Sequence, residues 1–238
     1  MQFIEINTEK EKMTLLNNFY NTLFIQEFPD ENERESLDNM FTYLKLKENG
    51  WYKKNNYHII LVKINKEIIG GAIVDYFSKP NCGAIEFILV KPEYRIKNIA
   101  TKLLDYVKEI LVLDAKKINK KLNFIFGEVN DPVKTKEADD SMNPSERLKF
   151  WYKKNYYILN MFYLQPALSK NTKPVESLLL IANVFNENYL NYGIPKNIIL
   201  QAIYYYMKLA MRINNPNKHQ IFKQIKKKNK MKRILFLK

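Results

Sequence analysis

Cysteine occurs once in the 238 residues, as Cys82, and histidine twice, as His58 and His219. One thiol excludes an intramolecular disulfide framework, and three such side chains are too few for a cysteine-rich zinc site. No metal is expected. No apolar run reaches the roughly 18 residues that a membrane span needs. Met1-Gln2-Phe3-Ile4-Glu5-Ile6 alternates like a strand, where a secretion leader would carry a basic stretch and then an apolar one. The expected location is the cytoplasm. Glycine is scarce, at 6 residues, and neither G-x-x-x-x-G-K-[ST] nor G-x-G-x-x-G occurs, which excludes the two commonest glycine-based phosphate cradles. Acid is missing altogether from residues 188–238, which hold twelve basic residues, leaving 27 basic against 25 acidic in residues 1–187. The formal charge of +14 therefore belongs to one end of the chain. Such an end is either a solvated tail or a contact for an anionic partner such as nucleic acid or a membrane surface.

What is present suffices for a globular protein. A hydrophobic content of 46% can bury a core and excludes wholesale disorder. Phe3 to Ile6 reads as a strand, and Thr8-Glu9-Lys10-Glu11 has the form of a capping box opening a helix. Met13, Leu16, Phe19, Tyr20 and Leu23 recur at helical spacing and carry that helix to about Ile25. A second helix is expected over roughly Glu31 to Lys47. The period then falls to two: Tyr57 to Lys63, a turn at Asn65-Lys66, Ile68 to Phe77, a turn at Pro80 to Gly83, and Ala84 to Val90 predict a three-stranded antiparallel meander. Ile99 to about Ile118 reads as a helix and Leu122 to Val129 as a strand. Residues 132–142 read as a mobile loop. Asn143-Pro144 opens a short helix to about Lys154. Tyr156 to Leu168 reads as one or two final strands, and Val175 to Leu190 with Lys196 to Ile213 as a helical hairpin.

The chemistry concentrates where an apolar strand, Ala84 to Val90, runs through Lys91-Pro92-Glu93-Tyr94-Arg95-Ile96-Lys97-Asn98 into a helix N-terminus. Unpaired N–H groups and the positive end of a helix dipole suit a phosphate or pyrophosphate. These residues resemble the core motif of the GNAT superfamily of N-acetyltransferases: Leu89, Val90, Pro92, Tyr94, Arg95, Ala100, Leu103 and Leu104 fall on its positions. The departure is Asn98, where the family has glycine. Asparagine tolerates left-handed backbone better than other residues bearing a Cβ.

The resemblance implies an α/β (α+β type) fold across residues 1–168, with a mixed, largely antiparallel central sheet flanked by helices. The helical hairpin 175–214 and a basic tail 215–238 would follow as appendages. It implies that the backbone of Ile96, Lys97, Asn98, Ile99 and Ala100, beside Arg95, binds the pyrophosphate of acetyl-CoA, the co-substrate, and that Leu89 and Val90 pair with the pantetheine arm through their main chains. The tetrahedral oxyanion would meet a strand N–H near Leu89. Glu86 is the first candidate for the base that deprotonates the amine, and Glu128 the second. In the family's late-helix pattern Trp151 takes the position of the tyrosine that protonates the thiolate and Asn155 that of a glycine, so the role passes to Tyr152 or to solvent or the substrate's own ammonium.

Other residues read more plainly. His58 is a packed histidine in an apolar strand, Cys82 has no histidine near it in sequence, and the tyrosines 189, 192 and 204–206 read as a helical core stripe. Phe28 to Arg34 could attract a cationic amine or simply start a helix. The expected function is transfer of an acetyl group from acetyl-CoA to a primary amine of a small molecule or peptide, in a chain able to pair as a homodimer. The rival is a catalytically inactive acyl-CoA-binding protein tethered to nucleic acid or another anionic partner through residues 218–238.

Overall fold

The computed structural model of the chain describes residues 1–31, 34–135, 142–167 and 173–237, and at Ile96 the backbone alone. β1 (Gln2–Glu5) leads to α1 (Lys10–Phe19), a π-helical turn (Tyr20–Phe24), α2 (Ile25–Glu27) and α3 (Leu37–Glu48). The meander β2 (Asn56–Ile64), β3 (Glu67–Phe77) and β4 (Cys82–Val90) follows, then a 3-10 turn (Pro92–Lys97), α4 (Ile99–Lys117) and β5 (Phe124–Asn130). The chain continues as α5 (Pro144–Lys153), β6 (Tyr157–Leu159), β7 (Leu178–Val184), α6 (Glu187–Tyr192), β8 (Ile194–Pro195) and α7 (Lys196–Leu209). It closes with a 3-10 turn (Pro216–Lys218), α8 (Gln220–Lys228), β9 (Arg233–Ile234) and β10 (Phe236–Leu237).

Eight strands make one sheet in the order β1-β2-β3-β4-β5-β7-β6-β10. Every pairing is antiparallel except β4 with β5. One face is covered through Leu16, Phe19, Phe24, Met40 and Tyr206 of the first helices and α7; the other is covered through Leu103, Val107 and Leu111 of α4 and Trp151 of α5. The mixed sheet with helices on both sides is the expected fold class.

The single parallel pairing positions the site. β4 and β5 are in register from Cys82↔Phe124 to Ile85↔Gly127 and no further. Beyond that point β4 stays with β3 as far as Val90↔Gly70, while β5 stays with β7 as far as Asn130↔Leu178. Two strands that keep different partners must part, and the sheet opens between them.

Several expected elements differ. Thr8 does not cap α1, whose N-cap Glu9 makes no side-chain capping bond; the Thr8 N–H instead meets Glu48 Oε1 at 3.2 Å. The second helix starts at Leu37 with Ser36 accepting from the Asn39 N–H. The helical hairpin does not form: residues 178–184 are strand β7, inserted between β5 and β6, and only α7 of the expected pair is a full helix. Leu178-Leu179-Leu180-Ile181-Ala182-Asn183-Val184 is a short apolar run flanked by strands on both edges, and such a run carries no period to tell strand from helix.

Tyr156 to Leu168 yields only the three residues of β6 and a bridge between Gln165 and Val175. The basic end is not a free tail. Ile221, Phe222 and Ile225 of α8 and Ile234 are buried, and β10 pairs with β6. Residues 136–141 of the expected loop, Asn32 and Glu33 of the expected second helix and Leu168 lie outside the described residues.

Candidate active site

The opening between β4 and β5 is a cleft with room for about 220 Å³, lined by Ile85 to Val90 and Gly127-Glu128 from the strands, Arg95 and Ala100 from the start of α4, and Trp151 and Tyr156 from the far wall. Its backbone lining follows from alternation. Leu89 is opposite Gly71, and the Lys91 N–H donates to Ile69 O at 2.8 Å, so odd-numbered residues at the end of β4 turn their main chains to β3. Ile88 and Val90 therefore turn theirs to the cleft. Of the expected pair, Val90 turns its main chain to the cleft and Leu89 turns its own to β3.

At one end stands the N-terminus of α4. Asn98 is its N-cap, with φ 58° and ψ 18°, in the left-handed region the motif's glycine would occupy, and its side chain makes no capping bond. The first amides of α4 are thus left for a ligand. Arg95 lies in the cleft wall with its guanidinium committed: Nε donates to Val90 O at 3.0 Å and Nη2 to a Glu27 carboxylate oxygen.

At the other end is a smaller pocket lined by Glu35, Glu86, Glu128, Asn130, Arg147, Gln165, Tyr206 and Met211, among others. Glu86 and Glu128 line both spaces, so the two base candidates stand where cleft and pocket meet. They are held in different ways. Glu128 accepts from the Tyr206 hydroxyl at 2.9 Å, from the Tyr163 hydroxyl, and from Gln165 Nε2 at 3.3 Å. Burial, then the Glu128 charge, pushes both tyrosines well above the usual phenol range, so they stay donors.

Glu86 sits on a β-bulge: Ile73 is opposite Phe87 and Val74 opposite Ile85, which leaves Glu86 without a cross-strand partner. The slip in alternation puts Phe87 on the same face as Ala84, and Phe24 and Phe28 hold it there with ring centroids 4.9 and 5.0 Å away. The Glu86 carboxyl lies against that of Asp75 on β3. Burial, and then the charge of Asp75, pushes it well above the usual carboxylate range.

Glu35 is 8% exposed and accepts from the Ser36 N–H, Asn39 Nδ2 and the Tyr43 hydroxyl; burial outweighs these bonds and raises it. Tyr152 packs against Tyr157 at 6.2 Å and does not line the cleft, whereas Tyr156, with its ring 4.7 Å from that of Trp151, does. Burial raises the Tyr156 hydroxyl, which keeps its proton. Asp75, Tyr156, Gln165, Tyr206 and Arg212 were not singled out from sequence as site residues. Asp75 carried a usable signal, as the one charge in the interior of an otherwise apolar strand.

A mixed sheet parted between two parallel strands, with a helix N-terminus at the mouth of the gap, defines the GNAT fold. Residues 16–128 match the model of the acetyltransferase (GNAT) family, so the resemblance carried by residues 84–104 is borne out. The chain is similar to a GNAT-family protein from Bacteroides thetaiotaomicron at 16% identity and TM-score 0.61, covering 90% of this chain and 99% of that one. It is similar to Tetrahymena GCN5 at 11% identity and TM-score 0.50, over 77% and 96% of the two chains. The PaiA N-acetyltransferase of Thermoplasma acidophilum, solved in complex with coenzyme A, is similar at 14% identity and TM-score 0.48, over 78% and 100%. Comparison with curated proteins finds no match.

Proposed function

We propose that the chain is an acyl-CoA-dependent N-acyltransferase that moves an acetyl group to a primary amine. The observation that carries the reading is the parting of β4 from β5 after Ile85 and Gly127. It creates an unpaired strand side leading from a helix N-terminus to a pair of carboxyls. The pantetheine arm would lie along β4 as an added strand, hydrogen-bonded to the main chains of Ile88 and Val90. The amides from Ile96 to Ala100 would hold the pyrophosphate, with Arg95 and Lys97 beside them.

In the transfer the amine nitrogen bonds to the thioester carbonyl carbon and the C–S bond breaks. The amine gives up a proton at the Glu86 and Glu128 end, and the thiolate gains one. Tyr156, in the cleft wall with its proton retained, is the donor we assign; Tyr152 is not beside the cleft. A β4 N–H turned to the gap stabilises the oxyanion.

Thermal shift with acetyl-CoA, against CoA and ATP, tests the donor site: saturation at 100 times Kd adds about 2.7 kcal/mol. A shift with acetyl-CoA and not ATP, followed by release of free CoA thiol on adding an amine, supports the reading. Binding without turnover over a broad amine panel would favour the non-catalytic alternative. Glu128→Gln is expected to lower kcat by about 100-fold with little change in the acetyl-CoA shift. Tyr156→Phe should lower kcat and Tyr152→Phe should not.

A further inference from the structure

The buried polar atoms without an ordinary partner are concentrated in one place. Among the described residues nine such atoms occur, and six of them belong to one cluster: Asp75 Oδ1 and Oδ2, Glu86 Oε1, Tyr57 Oη, and Arg212 Nε and Nη1. Asp75 is fully buried in the sheet, no N–H or hydroxyl group of the described protein donates to either of its oxygens, and its carboxyl lies against that of Glu86. Two carboxyl groups in contact, one of them fully buried with neither oxygen met by a donor, resist being ionised together. A hydrogen bond between them requires a proton on one.

The groups whose charges act on the pair are Tyr57 on β2, Tyr52 in the turn before it, Glu35 ahead of α3, Tyr43 on α3, Tyr206 on α7, Arg212 beyond the end of α7 and, from the other face of the sheet, His58 of β2. Arg212 is the cation whose charge favours ionisation of both carboxyls. Its guanidinium is stacked at 3.7 Å over the Tyr43 ring and 4.7 Å over that of Trp51, and Nη2 donates to the Tyr52 hydroxyl at 2.6 Å. The environment therefore supports one negative charge on the pair and not two.

We infer that Asp75 and Glu86 act as one unit that holds a single proton, with Glu86 facing the acceptor amine and Asp75 positioned behind it to take the proton Glu86 gives up. The inference rests on the acyltransferase reading above. As the amine loses its proton to one Glu86 oxygen, the proton already on Glu86 passes to Asp75, so the pair ends with two protons and no charge. One then replaces the proton that Tyr156 has given to the thiolate, and the pair returns to its single-proton state. No oxidant or further reactant is needed. Asp75 does not line the acceptor pocket, so it is a positioning residue that works through Glu86.

The arrangement explains how a glutamate that burial and its neighbour keep protonated can serve as proton acceptor. The capacity lies in Asp75, held up to about 6 by burial and still ionised at neutral pH. Below that value the pair carries two protons and accepts no more, so activity should fall on the acid side.

The test is the pH profile of kcat for wild type and Asp75→Asn, with two controls. In wild type kcat should fall below about pH 6. In the variant kcat at pH 7.5 should drop by about 100-fold and the acid limb should move, while the thermal shift with acetyl-CoA is unchanged. An Asp75→Asn protein with the wild-type limb and rate overturns the inference. The second readout needs no turnover. Infrared difference spectra between acid and neutral pH should show a carboxylic-acid carbonyl band at neutral pH in wild type that is lost in Glu86→Gln. Absence of that band overturns the shared proton. A wild type with the band but no activity on any amine condemns the function instead.

Discussion

Asparagine does the work that glycine does in most chains. With 6 glycines for the whole sequence, five of the seven non-glycine residues at positive φ among the described residues are asparagines: Asn65, Asn81, Asn98, Asn119 and Asn155. Asn98 and Asn155 are also the two positions where the resemblance leads one to expect glycine, and their φ values are 58° and 62°. Both departures therefore preserve the backbone the motif needs. The expected result is that Asn98→Gly and Asn155→Gly fold normally, while Asn98→Val costs about 1–3 kcal/mol in urea unfolding because a β-branched residue resists that region.

The donor half of the site was legible in sequence, since Pro92, Arg95 and Ala100 mark a local strand-turn-helix. Arg212 was not, and Asp75 showed only as a lone charge in an apolar strand, since they sit 126 and 11 positions from Glu86 and only the folded sheet relates them to it.

At the scale of elements, one buried histidine ties three of them. His58 of β2 has Nδ1 at 2.6 Å from Glu5 Oε1 on β1 and Nε2 at 2.7 Å from Asp114 Oδ2 on α4. Burial disfavours its charge, but the bonds to Asp114 and Glu5 prevail and the pKa is raised above 6.5. Glu5 is lowered to about 2, burial being outweighed by His58 and Lys47, and Asp114 is lowered below 3.8, burial being outweighed by His58.

The signs then follow. The histidine's contribution is complete below about 6.5 and lost as pH rises through its raised value, while those of the carboxylates are complete above about 4.5 and lost as pH falls. His58→Gln should therefore cost most, about 3 kcal/mol, between those limits, and less at about pH 9, by urea unfolding at each pH. The strands and helices up to β5 were legible because each shows a period or a breaker. β7 was not, since Leu178 to Val184 is buried between two strands and shows no period.

For the molecule as a whole, the family match ends at Glu128, yet Gln165, Leu178, Tyr206, Ala210 and Met211 line the pocket beyond Glu86 and Glu128. The last third of the chain helps build the proposed site. The basic stretch is fastened as well: Asn229 donates through Nδ2 to Phe162 O at 2.9 Å and accepts from the Phe162 N–H at 2.8 Å. Deleting residues 215–238 uncovers the surface that Ile221, Phe222, Ile225 and Ile234 protect. The truncated protein is expected to lose several degrees of Tm and to expose apolar surface to a dye, which thermal melts and dye binding would record. A truncated protein with unchanged Tm would show that the end is dispensable.

The gap between β4 and β5 gives the sheet a third edge, in its interior, besides those at β1 and β10. Amides deep in a sheet normally exchange their hydrogens only on global opening, but those of Ile88 and Val90 have no strand to donate to. They should exchange with solvent deuterium orders of magnitude faster than the Leu89 amide between them in the free protein, and slow sharply once a strand-like ligand fills the gap. A sheet that ordinarily hides its edges has kept one inside, walled by Trp151 and α4 against other chains and open to a narrow partner.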